Sequence, residues 1–233
     1  MANIPDLARA GRRRAKLNGM GSSGAPMGAT SGQGRQAGGT PRAALADLLA
    51  GNRRFVSGQP VHGHDVTAAA AASGDQQPYA VVLGCIDSRV PLEAIFDQTF
   101  GAICVIRTGG HVLDRAVCGS IEYVVGQLGV PLVMVLGHER CGAVQATVEA
   151  LRTGQRPGGS LAHLVDEIAP AVTEAGLDDP AVQPLAIRRH VRRTVRTLRE
   201  DDLLAGPVAA GKVAVVGGLY DLATGEVALL DPG

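Results

Sequence analysis

Apolar residues fall in two patterns along this chain. Short uninterrupted runs at 79–83, 102–106 and 131–137 are rich in Val, Leu and Ile, and Gly or Pro punctuates their ends, which predicts strands buried on both faces. A fourth run of this kind spans 212–218. Between the runs, apolar positions recur at three and four residues and predict helices. One covers 114–128, with Val117, Ile121, Val124, Val125 and Leu128 on its inner face. Others cover 143–151, 160–175 and 181–199, and a short one carries Glu93, Ala94, Ile95 and Phe96. Thr40-Pro41 opens a helix at the N-terminal side, a cap residue followed by Pro in the first turn, with a stripe of Leu45, Leu48 and Leu49. That helix and Gly51-Asn52-Arg53-Arg54-Phe55 after it form an arm that packs on another surface. Residues 57–78 show no period and are expected to be loop. At the C-terminal end, 219–222 and 226–230 are expected to pair as a hairpin around Ala223-Thr224-Gly225.

Strands alternating with helices predict an α/β fold: a mostly parallel sheet of four parallel strands plus a C-terminal edge strand, flanked by helices, with an N-terminal helical arm. Residues 1–39 are rich in Gly, Ser, Ala and Arg without a period, and are expected to be a disordered leader before a single domain over 40–233. The apolar segment that an export signal needs is missing beside Gly11-Arg12-Arg13-Arg14.

Composition narrows the function classes. A formal net charge of +0 and a complete lack of Trp, with three Phe and three Tyr, argue against a nucleic-acid partner. The helix over 181–199 carries six arginines, but Glu200, Asp201 and Asp202 follow it, so its basic face is expected to be solvated. No run is long and apolar enough to span a membrane. Cysteines at 85, 104, 118 and 141 lie in or beside strands of a chain large enough not to need disulfides, which points to a reducing, cytoplasmic compartment.

The chemistry sits where two strands end. Cys85, Asp87 and Arg89 occupy every second position after the first run, and His138 and Cys141 follow the third. Carboxyl ends of strands are where open α/β sheets bind ligands. Two thiolates and an imidazole form a natural zinc set, one ion per chain, and three protein ligands leave a fourth position open. Water there would have its pKa lowered toward 7. Arg89 can hold Asp87 by a bidentate fork, keeping the carboxylate off the metal as gate and orienter. Alternatively Asp87 is a permanent fourth ligand and the site is closed and structural. Arg89 lies too near Cys85 for a phosphatase cradle, and His138–Cys141 carries only one thiol, unlike a redox Cys-x-x-Cys. His62 and His64 are expected to be solvated loop residues. His111, in the Arg107-Thr108-Gly109-Gly110-His111 loop, is expected to hold the loop or an interface, with proton shuttling as the other reading.

Cys85-Ile86-Asp87-Ser88-Arg89 and Gly137-His138-Glu139-Arg140-Cys141-Gly142, in this order, resemble the β-class carbonic anhydrases. The loop at 107–111, Gly119-Ser120-Ile121-Glu122-Tyr123 and the arm at 51–55 match as well, so the resemblance covers about residues 40–231. It implies zinc on Cys85, His138 and Cys141, an Asp87–Arg89 dyad, and hydration of carbon dioxide to bicarbonate and a proton by zinc-bound hydroxide. It also implies dimers or dimers of dimers with the site near a subunit interface. Gln98 corresponds to a glutamine that hydrogen-bonds bicarbonate, and Tyr123 to a tyrosine lining the carbon dioxide pocket. Cys104 stands where a phenylalanine is frequent, and Gly109 where valine or alanine is common. The substrate pocket is thus either wider than usual or filled by neighbours. Two other functions stay open: hydrolysis of carbonyl sulfide or carbon disulfide on the same site, and a non-catalytic zinc-binding assembly module.

Overall fold

The computed structural model describes residues 39–231. The expected leader lies outside them but for Gly39. Among the described residues a single sheet runs in the order β2-β1-β3-β4-β5. Its strands are β1 (Ala80–Cys85), β2 (Ile103–Thr108), β3 (Leu132–His138), β4 (Ala214–Tyr220) and β5 (Val227–Leu230). The first four are parallel and β5 is an antiparallel edge, as the sequence predicts. β1 and β3 are buried at every residue and take the centre, as continuous apolar runs in parallel sheets do. From β1 the chain goes outward to β2, then crosses back to place β3 on β1's other side. The carboxyl ends of β1 and β3 therefore flank a topological switch point, the crevice where such sheets bind ligands.

Side chains alternate across the sheet, so each strand feeds two cores. Val81, Leu83, Val133, Val135 and Val215 meet α4 (Arg115–Leu128) and α7 (Val182–Arg199) through Val117, Ile121, Val191 and Val195. Val82, Met134 and Leu136 face α1 (Pro41–Val56) and α3 (Leu92–Ile95). A third core lies under the site, where Cys85 and Cys141 join Val144 and Val148 of α5 (Gly142–Thr153) and Ile168 and Val172 of α6 (Leu161–Ala175).

The N-terminal arm packs on its own chain. A side chain at Gly51 would put a Cβ 1.7 Å from the Phe96 carbonyl oxygen, so only glycine lets α1 lie this close to the end of α3. Buried Asn52 has its amide fully engaged: Nδ2 donates to Ile95 O and Gly225 O, and Oδ1 accepts from Val227 N. Arg54 Nε meets Asp97 at 2.5 Å, and the backbone N–H groups of Val61 and His62 also donate to that carboxylate. Burial works to raise the Asp97 pKa, but Arg54 and the two N–H groups outweigh it and hold it below the usual range.

Several boundaries differ from expectation. Residues 57–78 are not all loop: Asp65 caps a helix, α2 (Val66–Ala71), by accepting from Ala68 N. The short helix expected through Phe96 is α3, which starts after Pro91 and ends at Ile95. The expected hairpin is displaced, because Leu219 and Tyr220 belong to β4 and pair with Ala228 and Val227. A short α8 (Ala205–Ala209) precedes β4. The arginines of α7 are not simply solvated. Arg193 pairs with Glu174 of α6, Arg199 gives two hydrogen bonds to Val215 O, and Arg192 donates to Asp231 O. No helix among the described residues is long and apolar enough to cross a membrane.

Candidate metal centre

Cys85 is the last residue of β1 and His138 the last of β3, so sheet geometry alone sets them side by side. Gly84 and Cys85 still pair with Arg107 and Thr108, which is why β1 runs past the glycine that the sequence suggests as its end. Glu139 N is tied to Tyr220 O, Arg140 turns the chain at φ 51°, and Cys141 follows as the residue that opens α5. The Cys85 Sγ, the Cys141 Sγ and a His138 ring nitrogen all lie within 4.8 Å of one another, and all three residues are buried.

This donor set fits a zinc ion. His138 Nδ1 is 2.8 Å from the Glu139 carbonyl oxygen, which can only accept, so Nδ1 carries the proton and Nε2 presents a lone pair. Nε2 is buried and has no hydrogen-bond partner among the described residues, an orphaned acceptor that a metal would satisfy. The Cys141 thiol beside it, first of all, and the Gly110 N–H aimed at its sulfur hold the Cys85 thiol well below its ordinary value, against the burial that would raise it. Its Cys85 neighbour and burial push Cys141 up. A pair already inclined to lose a proton is suited to a cation.

The turn after Cys85 is stapled by β2. Arg107 donates from Nε to Cys85 O at 2.9 Å and from Nη2 to Asp87 O at 2.6 Å, and Ile86 N donates to Thr108 O. Nothing in the sequence assigns Arg107 this task beyond its place in a matching loop, because its targets are backbone carbonyls on another strand. Within the stapled turn, Arg89 grips Asp87 with both arms of its guanidinium: Nε to Oδ1 at 2.9 Å and Nη2 to Oδ2 at 2.7 Å. The Arg89 backbone N–H adds a third bond, to Oδ1. The Arg89 fork first of all, with burial opposing, holds the Asp87 carboxyl well below the usual carboxylate range.

Gly109–His111 form a single 3-10 turn after β2. Gly110 has φ 63°, and a Cβ there would meet Ile168 at 2.9 Å and Ala143 at 3.1 Å, so the position is both left-handed and closed to a side chain. The direction a side chain would take from Gly109 is already filled, with Leu164 Cδ1 at 2.6 Å. Of the two sequence-level readings of this position, neighbours fill the space. Cys104 lies half-buried in β2 against the α4 core. His111 is buried, 1% exposed. His64 is engaged too, its Nε2 3.0 Å from the Gln98 carbonyl oxygen.

Two sequence-predicted residues do not join the cluster within the chain. Gln98 is buried beside α1, and its amide donates to Phe96 O at 2.6 Å. Tyr123 stands on the outer side of α4, 54% exposed.

Comparison with known proteins converges. A family model described as carbonic anhydrase matches residues 80–227. The chain is 44% identical over 193 residues to carbonic anhydrase 2 of Mycobacterium tuberculosis, covering 82% of this chain and 93% of that protein. It is 45% identical over 197 residues to a carbonic anhydrase of Mycolicibacterium smegmatis, covering 81% and 93%. Among solved structures it resembles the tetrameric β-carbonic anhydrases of Sordaria macrospora, with a TM-score of 0.63 at 21% identity over 81% of this chain and 95% of that one. The Coccomyxa β-carbonic anhydrase gives a TM-score of 0.62 at 24% identity, covering 80% and 86%.

Proposed function

The chain belongs to the β-carbonic anhydrase family, and on that premise we propose that it hydrates carbon dioxide reversibly with one zinc ion held by Cys85, His138 Nε2 and Cys141. The observation that carries this reading is the Asp87–Arg89 fork beside a three-donor cluster. Both carboxylate oxygens are engaged by the guanidinium, so Asp87 reads as an orienter and not as a fourth ligand. This favours an open, catalytic site over a closed, structural one.

Zinc held by Cys85, His138 and Cys141 would supply Lewis acidity, lowering the pKa of water enough to make hydroxide available near neutral pH. The chain's own groups do the rest. A carboxylate offers about four acceptor sites. Oδ1 of Asp87 takes two hydrogen bonds from Arg89 and Oδ2 takes one, so Oδ2 retains a site for the O–H of the attacking oxygen. Because Arg89 keeps Asp87 ionised, that contact can run only one way. The O–H points at Asp87 and an oxygen lone pair is left for the carbon. Arg107 positions both Cys85 and Asp87 by holding their carbonyls.

Gln98 and Tyr123 would serve the site of a neighbouring copy, because their own chain does not bring them to its cluster. That reading accords with assembly as a homodimer or a dimer of dimers. The half-buried edge strand β2 and the exposed Ile86 and Tyr123 offer surface for such an assembly. A reducing, cytoplasmic setting suits the free thiols.

The test is hydration of carbon dioxide followed by stopped flow on zinc-loaded protein from pH 6.5 to 9, with carbonyl sulfide hydrolysis measured alongside. The rate is expected to rise with pH, and carbonyl sulfide to be the poorer substrate, since Leu164 leaves no widened space at Gly109. Zinc-loaded protein with no hydration at any pH would overturn the reading.

A further inference from the structure

Helix α7 carries no ligand to the metal centre, yet one of its side chains reaches it through a single residue. His190 is 4% exposed, and its Nε2 lies 3.0 Å from the Gly110 carbonyl oxygen. A carbonyl only accepts, so Nε2 carries the ring proton. Burial pushes this imidazole down to about 4, and the ring is therefore neutral in ordinary buffers. The N–H of the same Gly110 points the other way, to Cys85 Sγ at 3.4 Å.

Gly110 has no side chain to fix its torsions, and it sits in the left-handed region at φ 63°, ψ 28°. Its orientation must come from what grips its backbone. The His190 bond holds the carbonyl, while the His111 ring, 1% exposed, lies on the His190 ring with centroids 4.5 Å apart at 32°. Among the described residues neither nitrogen of His111 has a hydrogen-bond partner. That ring therefore contributes contact and dryness, and the polar grip on the Gly110 carbonyl comes from His190.

We propose that His190 is a positioning residue of the metal centre: its Nε2–H fixes the Gly110 carbonyl and thereby aims the Gly110 N–H at the Cys85 sulfur. An N–H aimed at a ligating thiolate tempers its electron donation and fixes its direction, and outer partners of this kind govern how firmly a metal is held. The inference rests on the reading of Cys85, His138 and Cys141 as a zinc site.

Full-length protein loaded with cadmium-113 tests it by nuclear magnetic resonance. A scalar coupling between the metal and the Gly110 amide proton is expected, along with an Nε2–H tautomer for His190. His190→Phe keeps a ring against His111 but has no donor. In it the coupling should vanish and release of metal to a chelator should quicken about 10- to 100-fold. His190→Gln, which restores an N–H at similar reach, should return both values toward wild type. A coupling and release rate unchanged in His190→Phe would overturn the proposal even if its melting temperature fell, because that is the signature of packing alone. Should His190→Phe not fold, the wild type still decides: an absent Gly110 coupling or an Nδ1–H tautomer overturns the proposal. Wild-type protein that takes up no metal would overturn the zinc reading itself. One metal per chain without the Gly110 coupling would overturn this inference alone.

Discussion

Asp87→Ala is expected to lower carbon dioxide hydration at least about a hundredfold while zinc stays at one per chain. The size follows from what a positioned acid–base or hydrogen-bonding group contributes to such a step, roughly 10²–10⁴-fold. The Asp87 carboxylate is the acceptor with a free site beside the cluster, and its geometry is set from three directions by Arg89 and through its own carbonyl by Arg107. Alanine removes the acceptor without touching a donor of the metal set. It also leaves Arg89 with its guanidinium in reach of solvent, since that side chain is 51% exposed. An ion pair whose cation reaches water contributes little to stability, so the variant should unfold near the wild-type temperature. Loss of zinc together with activity would instead make Asp87 a ligand. Unchanged activity would remove it from the mechanism.

Cys141→Ser should abolish both zinc and activity. Serine keeps the size of the side chain but is a hard, protonated hydroxyl where the site needs a soft thiolate. Cys85 and His138 would remain as a buried pair, one ligand short of the set that converges within 4.8 Å. After dialysis against a mild chelator, zinc should fall below about a tenth per chain, given how much structural or catalytic zinc affinity depends on each ligand. Melting temperature should fall too. A metal present at a thousand times its dissociation constant stabilises the native state by about 4 kcal/mol, and that contribution would be gone. Wild-type protein stripped of metal should melt like the variant. Cys104→Ser and Cys118→Ser should keep zinc, because neither residue belongs to the cluster. A Cys141→Ser protein that still holds one zinc would contradict the assigned ligand set.

Much of this site could be read from the chain, for a physical reason. Fully buried parallel strands are written as unbroken apolar runs, and ligands collect at their carboxyl ends, so Cys85 and His138 were marked by position as well as by type. What escaped reading is what depends on other elements. β1 outruns its glycine because Gly84 and Cys85 find partners in Arg107 and Thr108. The helix at 66–71 has an aspartate cap and an alanine run, which are legible signals, but no buried residue, so hydrophobic periodicity is silent there. Arg107 acts on carbonyls, and carbonyls have no sequence. His190 does leave a trace: it falls with Ala186, Ile187, Val191 and Thr194 on the buried face of α7, where a lone polar ring needs a partner. The partner, Gly110, is 80 residues away. Gln98 and Tyr123 were legible through resemblance only, and a single chain does not bring them to its own cluster.

In the proposed site, zinc is held by two cysteine sulfurs and one histidine nitrogen at the ends of β1 and β3. Zinc K-edge absorption fine structure on the purified wild-type protein at pH 8 tests that ligand set. Two sulfurs at about 2.3 Å and nitrogen or oxygen neighbours at about 2.0–2.1 Å are expected. A zinc shell with no sulfur, with four sulfurs, or protein that carries no zinc at all would contradict it.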